Sequence, residues 1–577
     1  MAASLKTDQR SGLSYVYKLP NLPQDSRIIP DYLDDKVKEH PERQAAVYYP
    51  MGGGKSCITY RQLQDQSVQL AAGLIKTGLK VGECVLLIAP NCLEYIVIEM
   101  ACARIGVCLI FQKFGSPATD AVEMAKSTGC SAVIVCAFGS SALYGESIVQ
   151  EWQKTPRDGS TDPPLAICAG FKATEGNLSY EDLVRPNELA SAEEIHTVFE
   201  VQSAVQMEDP LLALMTSGST GKPKVVLYNH FQFINVLRAS CFTLPNVDGA
   251  RYFNDRPFSW AVGAMLGTYL IPFSGITLVF LDPEISVRKG DVVMIRNILQ
   301  DERCTHAFLM AYIMYDLIHA DAIPEYGLSL VEYALSAGQP LVKEMTSKFM
   351  AKFPNVLLGQ TYGCTEFGPF AFQTYSMVAD TDHVSFNCLE MAPNTEATVV
   401  NNDGRLVTKN TVGELLLRGP HLFERYVTNE EGTKAACTPQ HWFKTGDLVT
   451  MNDDGCIRFV ARMSDAIKRA AVLIYPVEVE MVISKHPDVD QVVVVGVPDE
   501  RFTQELCACV ILTHSPGSSE ERLDAIKEWT LDQFPPGPDG LSLSPKYFLS
   551  FQDFPKTYNG KTSRRDLTKM AAEKYGC

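Results

Sequence analysis

The chain has 577 residues, 46% of them apolar and 21% charged, enough to bury large cores and to build two or more domains. Its 68 acidic side chains outnumber 51 basic ones, and the net charge of −17 repels nucleic-acid phosphates and acidic membrane surfaces, with no basic patch to offset it. The 17 cysteines are scattered, with no CxxC pair and no Cys/His cluster at metal-binding spacing, so neither a disulfide scaffold nor a structural zinc site is expected.

In chain order, apolar runs of the kind buried in parallel sheets alternate with helical patterns, which predicts a layered α/β architecture. The run CVLLIAP, residues 84–90, predicts a strand, followed by an amphipathic helix through Tyr95, Glu99 and Arg104. SAVIVCA, residues 131–137, repeats the theme. Residues 155–164, rich in Asp, Gly, Thr and Pro, predict a surface loop. Residues 257–281 carry no charge and are long enough to cross a bilayer. Yet Gly263, Gly267, Pro272, Ser274 and Gly275 divide them into a small-residue helix over roughly 260–271 and a strand over 276–281, so a buried helix and strand beside a pocket are expected instead. From about residue 400 short strands take over, with turns at Asn402-Asp403-Gly404 and Asp453-Asp454-Gly455, the second flanked by VTM and CIRFV as in a hairpin. After Arg462 a smaller unit is predicted, with strands over 491–497 and 506–512 and helices between. The expected fold class is therefore α/β. A large N-terminal domain of layered α/β subdomains plus a β-rich subdomain spans residues 30–461, and a small mobile α+β domain spans residues 462–577.

The chemistry starts at Thr216-Ser217-Gly218-Ser219-Thr220-Gly221-Lys222-Pro223-Lys224. Glycines let backbone N–H groups approach an anion, hydroxyls donate to phosphate oxygens, and lysines supply positive charge, so this loop reads as a phosphate cradle. It is not a Walker A loop, because Thr216 stands where that motif needs its first glycine; the GGGKS at residues 52–56 fails in the same way at Tyr49. Downstream come Gln360-Thr361-Tyr362-Gly363-Cys364-Thr365-Glu366, Lys444-Thr445-Gly446-Asp447, Arg462-Met463-Ser464-Asp465-Ala466-Ile467-Lys468, and Pro555-Lys556-Thr557-Tyr558-Asn559-Gly560-Lys561. In this order the five motifs resemble the core motifs of the adenylate-forming superfamily, which contains acyl-CoA synthetases, adenylation domains of peptide synthetases and beetle luciferases. The resemblance runs over about residues 30–570. Gly12-Leu13-Ser14-Tyr15-Val16 and the Glu505-Leu506-Cys507-Ala508-Cys509 stretch look most like the medium-chain acyl-CoA synthetase branch.

The resemblance implies an AMP-forming acid–thiol ligase that joins a fatty or related carboxylic acid, of medium chain length, to the α-phosphorus of ATP and then passes the acyl group to CoA. Bringing an anion to a polyanion asks the protein for positive charge and positioning. By the same resemblance residues 216–224 shield the β- and γ-phosphates, Tyr362 stacks on adenine, and Gly338, Gln339, Pro340 and Gly363 belong to the nucleotide site. Thr365 supports the α-phosphate, and Glu366 binds Mg²⁺, a hard cation suited to carboxylate and phosphate oxygens. Asp447 accepts the ribose hydroxyls, Arg462 supports ribose or phosphate, and Lys468 lies on the CoA side. Lys561 neutralises the charge that builds at acyl transfer to the α-phosphate, and a swing about Ser464 removes it for the second half-reaction.

The resemblance also places Trp260, Val262, Gly263 and Tyr312, with Ala264 and Gly338 nearby, at an apolar acyl slot that is expected to prefer an aliphatic chain. Three departures from the family pattern stand out: Val225 after Pro-Lys, Ala461 before the hinge arginine, and Lys468-Arg469-Ala470-Ala471-Val472 where small Gly-rich residues usually lie against the pantetheine arm of CoA. Two alternatives stand beside the ligase: a luciferase-like oxygenase, which Trp260 in place of the luciferase histidine argues against, and a nucleotide-binding protein with weak thioesterification. The expected partners are a small carboxylic acid, ATP and CoA, with no nucleic acid and no transmembrane segment. Residues 1–18 lack the apolar core of a secretory signal, and Tyr575-Gly576-Cys577 is not a peroxisomal tripeptide. The expected compartment is the cytoplasm, with the mitochondrial matrix as the alternative.

Overall fold

The structure, a computed structural model, describes residues 12–20, 23–24, 26–50, 52–155, 164–185, 190–216, 224–282, 291–324, 327–339, 341, 343–375, 388–469, 472–513, 518–535, 542–556 and 562–576. These fall into two compact units. One holds Tyr17–Glu396 and Arg418–Phe443; the other holds the described residues up to Val16, Ala397–Leu417, and those from Lys444 onward.

In the first unit, one sheet runs in the order Arg425–Tyr426, Lys224–Asn229, Pro210–Thr216, Cys108–Gln112, Cys84–Ile88, Cys130–Cys136, Leu165–Ala169 and Leu178–Ser179. Its middle strands are parallel and their apolar runs are buried on both faces, which is why they read as continuous Val/Ile/Leu/Cys stretches. The helix Leu93–Arg104 connects two of them. It was expected to be amphipathic, and the structure corrects this: Tyr95, Glu99 and Arg104 are all fully buried. The two polar groups are tolerated because distant residues partner them. Arg104 reaches Asp34, Ser67 and Gln202, and Glu99 Oε1 accepts from the Thr268 hydroxyl at 3.0 Å.

The second sheet of this unit carries the parallel run Leu357–Cys364, Tyr333–Ala337, His306–Phe308, Arg251–Phe253, Thr277–Leu281 and Gln44–Tyr49. In such sheets ligand sites gather at the carboxyl ends of the strands. The uncharged segment becomes helix and strand, as expected, but the helix is irregular. After Ala261–Gly263, a π-turn over Ala264–Thr268 takes Leu266 out of helical geometry (φ −116°, ψ 26°) before Leu270–Ser274 resumes. The Asn254 amide fills the break, donating to the carbonyls of Val262 at 3.3 Å and Leu266 at 2.5 Å. Among the described residues no helix is long and apolar enough to cross a membrane.

The second unit contains a five-stranded sheet in the order Tyr15–Tyr17, Glu396–Val400, Gly413–Arg418, Phe443–Met451 and Ile457–Arg462, the last two strands antiparallel. The predicted Asp453-Asp454-Gly455 hairpin joins its last two strands, with Gly455 at φ 79°. A second sheet pairs Val472–Ile474, Ile467–Arg469, Thr503–Leu512 and Val489–Asp499, with Tyr547–Phe551 parallel to Thr503–Leu512. The expected strands over 491–497 and 506–512 are present but longer, and they form a direct hairpin. The helices Pro476–Ile483 and Ser519–Gln533 lie before and after that hairpin rather than between its strands. Layered α/β sheets, a β-rich part and a small α+β part agree with the predicted fold class. The surface loop expected over 155–164 lies almost wholly outside the described residues.

Candidate active site

The expected phosphate loop connects two neighbouring antiparallel strands. Thr216 closes Pro210–Thr216, Lys224 opens Lys224–Asn229, and the two are direct partners in the register. Ser217, Gly218, Ser219, Thr220, Gly221 and Lys222 lie outside the described residues. Val225, the expected departure, is fully buried in an apolar cluster with Leu86, Ile110 and Ala213. Its side chain therefore serves the core.

Lys224 sets its ammonium 4.7 Å from the centroid of the Tyr426 ring. Tyr426 sits on the short edge strand opposite Val226 and donates its hydroxyl to Glu366 Oε1 at 2.8 Å. Burial and the neighbouring Glu366 carboxylate push the Tyr426 phenol far up, so it remains a donor at any working pH. Tyr228, on the same strand as Lys224, donates to the carbonyl of Thr365 at 2.7 Å. Two tyrosines thus fasten the Thr365-Glu366 turn to the strand Lys224–Asn229 and its edge partner. The hairpin whose turn Thr365 and Glu366 form is forced to be tight: a Cβ at Gly363 would meet the Gly368 carbonyl at 2.5 Å, and Gly368 has φ 71°. Tyr362 is half-buried, 4.7 Å from the Phe370 ring. Gly338, at φ 88°, and Gln339 are exposed where Tyr333–Ala337 ends; Pro340 lies outside the described residues.

Glu366 is half-buried, and among the described residues no donor takes its second carboxylate oxygen. A half-open carboxylate held by one hydrogen bond fits a cation whose other ligands are phosphate oxygens and water. The described residues contain no group of three or more His, Cys, Asp or Glu side chains that could hold a metal without such help.

At the expected acyl positions, Trp260, Val262 and Tyr312 are partly exposed, whereas Gly263 and the π-turn behind it are buried. Gly263 has a steric duty, since a Cβ there would fall 2.0 Å from the Pro257 carbonyl. Sequence reasoning missed the residues immediately before. Asn254, Asp255 and Arg256 are essentially fully buried at the carboxyl end of Arg251–Phe253. Arg256 Nε and Nη2 lie 2.9 and 2.7 Å from Asp255 Oδ1, and Nη1 donates to the Tyr312 hydroxyl at 2.8 Å. The available signal was three adjacent polar residues leading straight into a long uncharged run. Tyr426 and Tyr228 left no comparable trace, being ordinary strand aromatics.

In the second unit, Asp447 is buried inside Phe443–Met451, opposite Arg462, whose Nε lies 2.8 Å from its Oδ1. The Thr445-Gly446-Asp447 stretch is a kinked strand, with Gly446 at φ 68° donating its N–H to Glu414 at 3.2 Å. Ala461 packs its methyl inward opposite Leu448, so this departure too is a core residue. Ser464 and Asp465 form a single 3₁₀ turn, and the Asp465 carboxylate lies 3.7 Å from Arg564. Lys468 is exposed, whereas the adjacent Arg469 is buried and pairs with Glu505 at 2.8 Å. Ala470, Ala471 and Lys561 lie outside the described residues.

The structure therefore gathers Lys224, Glu366 and Thr365 through two tyrosines in one unit, and Asp447 with Arg462 in the other. Among known proteins, the chain is 26% identical over 579 residues to the mitochondrial medium-chain acyl-CoA ligase ACSF2 of Danio rerio, covering 98% of this chain and 91% of that protein. It is 26% identical over 575 residues to the Homo sapiens ACSF2, covering 97% and 90%. A solved benzoate CoA ligase from Burkholderia xenovorans LB400 shares the fold, with a TM-score of 0.75 and 20% identity, covering 94% of this chain and 100% of that one. The profile of the AMP-binding enzyme family matches residues 33–427 and that of the AMP-binding enzyme C-terminal domain residues 478–561, in agreement with the adenylate-forming motifs, and the chain belongs to the AMP-binding enzyme family.

Proposed function

We propose that the protein is an ATP-dependent, AMP-forming acyl-CoA ligase for a medium-chain fatty or related carboxylic acid. The observation that carries this reading is the line of contacts from Lys224 through the Tyr426 ring to Glu366. It ties the end of the phosphate loop to the carboxylate expected to hold Mg²⁺. A carboxylate is a poor electrophile, so joining it to the α-phosphorus of ATP, with loss of pyrophosphate, supplies the leaving group that the CoA thiol then displaces.

In this reading Lys224 and residues 216–222 offset the charge of the β- and γ-phosphates, and Thr365 supports the α-phosphate. Glu366 would hold Mg²⁺, which when bound supplies electrostatic relief to the phosphate oxygens. Tyr362, Gly363, Gly338, Gln339 and Pro340 take the adenine side. Asp447, oriented by Arg462, accepts the ribose hydroxyls, and a carboxylate already buried and paired is well preorganised for that task. Lys561 meets the charge built up during acyl transfer. The functional division falls at residues 30–461 and 462–577, with rotation about Ser464 exchanging Lys561 for the CoA-side residue Lys468. Trp260, Val262, Gly263 and Tyr312 line the acyl slot. The relatives' name supports a medium-chain acid and mitochondria; the cytoplasm is the other compartment considered, and fractionation of the native protein decides between the two.

The test is acid-dependent ATP–pyrophosphate exchange, followed by thioester formation with CoA, over straight-chain acids of graded length. Exchange should peak at medium chain length and fall about a hundredfold or more in Lys561→Ala. An equal exchange rate in that variant defeats the proposal. Ala471→Gly should raise CoA-dependent turnover and leave pyrophosphate release unchanged.

A further inference from the structure

The Asp255–Arg256–Tyr312 cluster is expensive to build and unfinished. Two fully buried charges are tolerable only when paired and hydrogen-bonded. Here Arg256 gives Asp255 Oδ1 two contacts, while Asp255 Oδ2, equally buried, has no donor among the described residues. At the other end, the Tyr312 oxygen is already an acceptor, taking the Arg256 Nη1 proton at 2.8 Å. A phenol that accepts must aim its own proton elsewhere, and among the described residues none accepts it. The guanidinium beside it polarises the O–H and makes it a stronger donor. Unlike Asp255 and Arg256, Tyr312 is partly exposed. It stands at the start of the helix Ala311–His319, just beyond the carboxyl end of His306–Phe308, and that strand is the parallel neighbour of Arg251–Phe253. The cluster is fixed in place: the Arg256 carbonyl accepts from Asn91 Nδ2 at 3.0 Å, and the Phe258 N–H donates to Asn91 Oδ1 at 2.8 Å.

We propose that the Tyr312 hydroxyl, primed by Arg256, is a specificity subsite that donates a hydrogen bond to an oxygen substituent on the acyl chain, so that the preferred acid is an oxygenated medium-chain acid, a hydroxy acid in particular. This rests on the acyl-slot reading of the proposed function and deepens it. A plain hydrocarbon chain would leave the polarised O–H facing an apolar surface, with the desolvation cost unrecovered. A hydroxyl on the chain removes that cost, and one neutral hydrogen bond is worth about a five- to tenfold preference.

The probes are octanoate and octanoates singly hydroxylated at each position from mid-chain to the terminus. Binding of each acid to the intact protein is measured by calorimetry, and activation by ATP–pyrophosphate exchange. For at least one position the hydroxy acid should bind, and be activated in kcat/KM, about five- to tenfold better than octanoate. In Tyr312→Phe that ratio should fall to about one through KM, and in Tyr312→Gln, which keeps a donor, it should be partly retained. If no hydroxy acid surpasses octanoate in the parent chain, or if the preference survives in Tyr312→Phe, the proposal is overturned. Calorimetry needs no turnover: a hydroxy preference in binding with no exchange for any acid supports the subsite and counts against the ligase reading.

Discussion

Replacing Tyr426 by Phe removes one oxygen and little else. The ring is buried and its packing against Phe423 is kept, as is the aromatic face under Lys224. What disappears is the 2.8 Å hydrogen bond to Glu366 Oε1. A hydrogen bond to a charged group contributes about 1.5–3 kcal/mol. Glu366 is only half-buried, so water can replace part of the lost donor and the low end applies, about 1.5 kcal/mol, which is about tenfold in an equilibrium constant. The loss should appear as disorder of the carboxylate, so the affected quantity is the Mg²⁺ requirement rather than acid selection. The assay is pyrophosphate exchange at saturating ATP and acid, with Mg²⁺ varied. In Tyr426→Phe the half-saturating concentration should rise about tenfold while the rate at saturating Mg²⁺ recovers most of the parent value. An unchanged Mg²⁺ curve in a folded variant would refute the argument that Tyr426 orients Glu366. A proportionate loss at every Mg²⁺ concentration would assign Tyr426 to packing alone.

Other expectations follow from groups buried in the first unit. Burial pushes the imidazoles of His230 and His421 down to about 3, so the native chain refuses protons that the unfolded chain takes up below about 6.5. Stability should therefore be intact above that value and fall at about 1.4 kcal/mol per pH unit per histidine between about 6.5 and 3. Urea titrations of His230→Gln and His421→Gln should show a flatter acid limb, and an identical slope would contradict this. Glu99 is the opposite case: burial drives its carboxyl well above the usual range against the Thr268 hydroxyl, so keeping it neutral costs more as pH rises. Glu99→Gln keeps the acceptor for Thr268, and the hydroxyls of Tyr95 and Tyr269, unpartnered among the described residues, can take its amide. Its stability relative to the parent should grow from pH 4 to pH 8, and a pH-independent difference would mean that Glu99 is ionised in the fold. Gly263→Ala places a methyl carbon 2.0 Å from the Pro257 carbonyl, so it should lose about 3 kcal/mol of stability and weaken acid binding before it affects ATP binding.

The sequence legibly carried whatever depends on neighbours along the chain. Cys84–Ile88 and Cys130–Cys136 could be read as buried strands because both faces of a parallel sheet are apolar, and the Asp453-Asp454-Gly455 turn because a hairpin needs those residue types locally. Helix Leu93–Arg104 was misread for the complementary reason. Glu99 and Arg104 look like a polar face until Thr268, Asp34 and Gln202 arrive from elsewhere in the chain.

The same division governs the site. Lys224 ends a loop whose composition reads as a phosphate cradle, and Glu366 stands in a motif singled out only by its family resemblance, but the group joining them is Tyr426, brought in by an edge strand of two residues pairing with Leu227 and Val226. A two-residue strand has no periodicity to detect, and an aromatic is an ordinary strand residue. Val225 makes the point in reverse. By motif it is a lost glycine beside the phosphates, but alternation along Lys224–Asn229 sends Lys224 toward Tyr426 and the Val225 side chain into the core. Which face a strand residue occupies decides whether its side chain acts on a ligand or on packing, so a departure from a motif carries functional weight only after that face is known.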